Sequence, residues 1–130
     1  MAQNIYPIRP TTTKAIELAR KLAREAKFGS LAVLDADSGA PYVSRVATCV
    51  DKDYSPIILV SGLSHHTKCL MNDPRCSVLF GEPGNGDRLA HPRVSLSCYA
   101  ERVSKTDVDM PRFAAIFIEG HPKASLYISF

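Results

Sequence analysis

The stretch YVSRVATCVDKDYSPIILVSGLSHHTKCLMNDPRCSVLF, residues 42–80, decides the fold. Tyr42 to Val50 is rich in β-branched residues and reads as a strand, the polar run DKDYSP turns the chain, and IILVS from Ile57 to Ser61 reads as the next strand. Ser64 can cap a short helix over residues 65–72, HHTKCLMN. That helix must stop at Asn72-Asp73-Pro74, because the residue before a proline is pushed out of the helical region. CSVLF, from Cys76 to Phe80, follows at once as a strand. Immediately upstream, SLAVLD (residues 30–35) and the turn segment DADSGAP form a hairpin with Tyr42 to Val50, so three antiparallel strands run in series as a meander.

Further out, Pro7 and Pro10 keep the start extended, and Thr11 to Thr13 offer N-caps for a helix reaching about Lys27. Ala15, Ile16, Ala19, Leu22, Ala23 and Ala26 recur at helical spacing, with Lys14, Arg20, Lys21, Arg24 and Lys27 elsewhere around the axis. Glu17 and Glu25 argue against a transit peptide and for a solvated basic face. Downstream, Gly81 to Pro92 contains three glycines and two prolines and must be a loop. RVSLSCYAERV then alternates as a long fifth strand, and a second long helix runs from near Val108 to Glu119, with Pro111 in its first turn and Gly120 at its end. Strands with peripheral helices and no β-α-β alternation predict a mainly β, α+β or barrel architecture.

The 130 residues suit one domain, and a 45% hydrophobic composition supplies a core. The net charge of +3 is spread along the chain without a block of like charges. Nucleic acid and an anionic membrane are therefore not expected partners, and a bound anion is expected to be small. Neither a membrane span nor a secretory signal is written in the sequence, so the expected location is cytoplasmic. The four cysteines, Cys49, Cys69, Cys76 and Cys98, sit in apolar periodic segments with no C-x-x-C pair. They are expected to be buried free thiols, with no metal site.

Arg45 shares a strand face with Val43, Ala47 and Cys49, which puts a permanent charge among small apolar neighbours. It needs an ion pair, with Asp51 or Glu101, a path along which it snorkels out of the sheet, or a ligand. Ser61 and Gly62 end a strand, and Ser64, Thr67 and Lys68 fall near the first turn of the following helix, where free N–H groups favour an anion. A meander brings these two features close together and predicts a phosphate held by opposed donors.

The run from Ser44 to Phe80, with GDRLAHPRVSLSCYAERV and FIEGHPKASLYISF after it, resembles the pyridoxamine-phosphate-oxidase-like FMN-binding split barrels, most closely their haem-utilisation (HugZ-like) branch. The resemblance covers nearly everything from Gly29 onward. It rests on the H-T-K/R-x-L element, the D-P-R-x-S-x-L start of a strand, the L-A-H-P-R loop and the H-P-x-A-x-x-Y turn, in this order. It implies an antiparallel split β-barrel with peripheral helices, a homodimer, and FMN in the groove between subunits. It further implies that Ser44, Arg45 and Val46 line the cofactor strand, that Ser61 and Gly62 meet the ring region, and that His66, Thr67 and Lys68 hold the phosphate side. Arg93, with Ser95 beside it, is implied from the partner subunit. Relatives of this branch continue past the last Tyr-x-x-Phe element, whereas SLYISF ends at Phe130; the expectation is a single split-barrel domain over residues 1–130, either a fragment truncated at its C-terminal barrel edge or one whose edge a neighbouring subunit covers.

Three function classes follow. One is a flavin-dependent oxidoreductase acting on a small molecule, with FMN or, as in related barrels, a deazaflavin. The second is a haem-binding or haem-degrading protein, for which His65, His66, His91 and His121 are candidate ligands, although His91 and His121 precede prolines and read as turn residues. The third is a barrel that binds a partner protein and no cofactor. Asp87, Arg88 and His91 in the glycine-rich loop read as gate or as plain connection. No residue stands out as a protein acid, base or nucleophile.

Overall fold

The computed structural model describes residues 9–129. Pro7 and Phe130 lie outside them. Helix α1, Thr13–Glu25, starts where Thr12 Oγ1 accepts from Ala15 N at 3.1 Å. It packs mainly through its second half, around buried Ala23, while Ile16 and Leu18 stay exposed. Strands β1 (Phe28–Leu34), β2 (Pro41–Val50) and β3 (Pro56–Ile58) form the expected meander. Helix α2, His65–Asn72, leads into β4 (Arg75–Phe80), and the loop after it carries a short 3-10 turn at Arg88–Ala90 before β5 (Val94–Tyr99). Helix α3 spans Met110–Gly120, and a second 3-10 turn spans Pro122–Leu126.

All strands join one antiparallel sheet in the order β3-β2-β1-β4-β5, curled into a half-barrel, so the expected split-barrel fold is the one formed. Its inner face carries Leu31, Val33, Val46, Val78 and Phe80, which pack with Ala23 of α1 and Cys69 of α2 into the core. The strand period of two sends the alternate residues outward. That outer face, with Phe28, Val43, Leu79 and Tyr99, stays open to solvent in the single chain.

Two glycines are required by close approach. A Cβ on Gly29 of β1 would lie 2.9 Å from Val78 Cγ1 and 3.0 Å from Phe80 Cε1. Gly81 has φ of 121° and would meet Pro92 O at 2.5 Å, so only glycine lets β4 leave the sheet beneath the start of β5.

Several elements are shorter than their sequence patterns. β3 ends at Ile58 instead of Ser61, because the chain leaves the sheet edge there to reach α2. β5 ends at Tyr99, because its partner begins at Arg75: Ala100 N still donates to Pro74 O at 2.8 Å, and pairing stops. Within the apolar C-terminal segment, Ser125 to Ser129 form no strand; Pro122 to Leu126 turns as a 3-10 helix that buries Ala124. As expected, all four cysteines are free thiols, Cys69 fully buried and the others partly so. Burial, then the charge of Asp51, pushes Cys49 up to about 11.

Candidate functional site

β2 divides the expected site residues between two faces. Ser44 and Val46 point inward, and Arg45 points outward. Val46 is only 6% exposed and belongs to the core, so its side chain lines no groove. Ser44 reaches α2 instead: its Oγ lies 3.4 Å from His66 Nδ1. Burial and then the neighbouring His65 push His66 below its usual value of 6.5, which favours the neutral imidazole.

Arg45 is not buried among apolar neighbours as its pattern suggested. Its face of the sheet is the uncovered one, and its guanidinium lies 5.1 Å from the centroid of the Phe28 ring. The register explains the contact, since Phe28 pairs with Ala47 and Ser30 with Arg45, which makes Phe28 the diagonal neighbour. Neither expected ion pair forms. Asp51 is taken by Arg112 of α3, whose Nη1 lies 2.8 and 2.9 Å from its two oxygens. Among the described residues Arg45 has no carboxylate partner. It lines a cleft of about 570 Å³ with Lys27, Phe28, Ser30, Leu79 and Glu82.

The loop between β3 and α2 is held by its own hydrogen bonds. Thr67 Oγ1 donates to Ser61 O at 2.6 Å, and Leu63 N donates to Ser61 Oγ at 3.1 Å. The Thr67 hydroxyl proton is therefore already engaged, and a phosphate would have to displace Ser61 O to receive it. Ser64 sits at the N-cap but makes no side-chain capping bond, so the first-turn N–H groups of α2 keep their capacity. Lys68 is exposed on that helix, and Ser61 and Gly62 are exposed ahead of it. Thr67 and Lys68 are absent from the walls of the Arg45 cleft; the expected single grip is split across the sheet. Arg93 is elsewhere again, donating to Leu89 O at 2.8 Å and to His91 O at 3.4 Å across the base of the β4–β5 loop; Ser95 lies just beyond on the outer face.

What connects the two halves is a strand edge. β3 pairs only with Thr48, Cys49 and Val50, so among the described residues β2 from Pro41 to Ala47 has no strand on that side. Thr48 N donates to Lys27 O, toward β1, and the antiparallel alternation then turns the N–H and C=O groups of Val43, Arg45 and Ala47 to the open edge. A planar ligand with hydrogen-bonding groups along one side can dock there, between Arg45 on one face and α2 on the other.

The remaining histidines are engaged. His91 Nε2 lies 2.8 Å from Asn85 O and His121 Nε2 lies 2.7 Å from Thr48 O, which fits their reading as turn residues. Phe28 and Arg112 were not among the expected residues. The first is found by extending β1 two residues toward its start, which puts an aromatic diagonal to Arg45; the second has no local signal.

An antiparallel split barrel with an open strand edge flanked by unpaired cations is thus the class that fold and site define. Residues 15–128 match the family described as Pyridoxamine 5'-phosphate oxidase, and the chain belongs to that family. It is 33% identical over 86 residues to the Non-canonical heme oxygenase HOZ, chloroplastic, of Arabidopsis thaliana, covering 66% of this chain and 26% of that protein. The protein Atu2129 from Agrobacterium tumefaciens has a similar structure, with a TM-score of 0.84 at 31% identity over 99% of this chain and 55% of that one. The heme binding protein from Mycobacterium smegmatis has a TM-score of 0.79 at 31% identity over 95% of this chain and 48% of its own. The chain thus spans about a quarter of the plant protein and about half of the two bacterial ones. Among the described residues, no helix is long and apolar enough to cross a membrane.

Proposed function

We propose that this chain is an FMN-binding protein of the flavin-dependent oxidoreductase type, with the cofactor held in a groove between two copies of the chain. The open edge of β2 from Pro41 to Ala47, beside Arg45, carries this reading. Its backbone groups complement the carbonyl and N–H edge of an isoalloxazine ring, and Arg45 on one side of that edge and Lys68 on the other each offer an anionic ligand a cation without a carboxylate partner among the described residues. Ser61 and Gly62 sit where the chain crosses from β3 to α2, and their exposure leaves room for the ring region. When bound, FMN supplies the hydride or electron chemistry; the chain's residues bind it, orient it and exclude water.

The uncovered outer sheet face supports two copies working together. Val43 is 60% exposed and Tyr99 79%, beside Phe28 and Leu79, an apolar surface that association would bury. Arg93 of a second copy is then available to the groove, as the resemblance implies.

A haem-binding or haem-degrading role is the second reading. The Arabidopsis and mycobacterial relatives carry haem in their names, and His66, half-buried and favoured neutral, is the histidine here best suited to iron. One absorption spectrum separates the readings. Flavin bands that are released on denaturation support FMN, and a Soret band on haem addition that disappears in His66→Ala supports haem.

A further inference from the structure

On the inner side of the sheet, three metal-ligand side chains meet under the first turns of α2. Asp35 stands at the end of β1, and His65 and Cys69 are four residues apart on α2, one turn above the other. Their ligand atoms all lie within 4.8 Å of one another. We propose that Asp35, His65 and Cys69 form a binding site for a borderline divalent cation of the zinc type.

The chemistry of the set argues for that class. One carboxylate, one imidazole and one thiolate match the mixed O, N and S preference of zinc, and three protein ligands leave one position for water. The carboxylate is also oriented in advance. Asp35 Oδ2 accepts from Ser38 N at 2.9 Å, Ser38 Oγ at 3.0 Å and Asp37 N at 3.1 Å, which leaves Oδ1 facing His65 Nε2 at 2.6 Å. Such outer hydrogen bonds are what holds a ligating carboxylate in place. Tyr42 packs edge-on against the imidazole, with centroids 4.9 Å apart. Cys69 is fully buried beneath, and its thiol has no hydrogen-bond partner among the described residues. His65 is exposed, so an ion enters from solvent beside it.

Binding transfers no electrons. The ion takes the Nε2 lone pair of the neutral imidazole, whose single proton moves through solvent to Nδ1, and the Cys69 thiolate, whose proton is released to solvent. It would tie the β1–β2 turn to α2. The ligands follow an H-x-x-x-C spacing on a helix, with the third from a distant turn, and so carry no C-x-x-C signature in the sequence.

The test is titration of the purified full chain with cobalt(II), followed by displacement with zinc(II). One ion per chain is expected, with a thiolate-to-cobalt charge-transfer band that zinc abolishes. Cys69→Ser removes the band, and Asp35→Asn and His65→Ala each weaken binding at least about tenfold. Because His65 is exposed, its variant should keep the native circular dichroism, and zinc should raise Tm in the native chain but not in that variant. Cys49→Ser and Cys98→Ser should retain the band. Failure to bind cobalt, binding that survives both His65→Ala and Asp35→Asn, or a band that follows Cys49 or Cys98 would overturn the proposal.

Discussion

Ser44 Oγ and His66 Nδ1 lie 3.4 Å apart, joining β2 to α2 on the inner side of the sheet, while the next residue along, Arg45, points to the opposite face. The strand's period of two thus separates residues that are consecutive in sequence and assigned to one cofactor. A ligand that uses both must straddle the edge of β2. The contact itself is part-buried and long for a hydrogen bond. Ser44→Ala is expected to cost about 0.5–1 kcal/mol, read from the urea midpoint with an unchanged slope.

Gly81→Ala should be far more damaging. The new Cβ would stand 2.5 Å from Pro92 O and 2.7 Å from Arg93 Cα, at a φ that L-residues avoid. A loss of about 2–4 kcal/mol is expected from the backbone conformation and the overlap together. An unchanged urea midpoint would show that β4 and the start of β5 do not approach as described.

Arg112 and Asp51 predict an acid-sensitive contribution. The Arg112 hydrogen bonds, with one from Lys52 N, hold Asp51 below its usual 3.8. A carboxylate depressed by folding stabilises above that value and loses the contribution as pH falls through its lowered value. Arg112→Ala should therefore be less stable than the native chain at pH 7, by the modest amount typical of a surface pair, with the difference closing below pH 3.8. Paired urea titrations at the two pH values provide the comparison.

Association through the outer sheet face is tested by Val43→Glu. Val43 is exposed in the single chain, so the charge should leave the fold intact and act on the contact between copies. Light scattering at several concentrations should give a dimer mass for the native chain and a monomer mass for the variant. A native monomer that binds FMN tightly would contradict the shared groove.

Much of this was legible locally. α2 is bounded by Ser64 and by the Asp73-Pro74 pair, and the meander by polar turn segments, so both follow from near-neighbour chemistry. The ends of β3 and β5 were not, because a strand stops where its partner stops. The two faces of β2 could be sorted by alternation, but not which one the core would cover; that depends on the side to which α1 and α2 fold back. Of the readings open for Arg45, the ion pair with Asp51 or Glu101 does not form, and the side chain stands on the uncovered face against Phe28. Arg112 took the expected partner Asp51 from 61 residues away, a pairing with no local trace.

Titration of the purified chain with FMN, followed by flavin fluorescence, tests the central claim most directly. Saturation at one FMN per chain is predicted. Arg45→Ala and Lys68→Ala should each weaken binding by about tenfold or more, the loss of one charge-assisted hydrogen bond to the bound cofactor. No uptake of FMN by the native chain, or an affinity unchanged in both variants, would contradict the account.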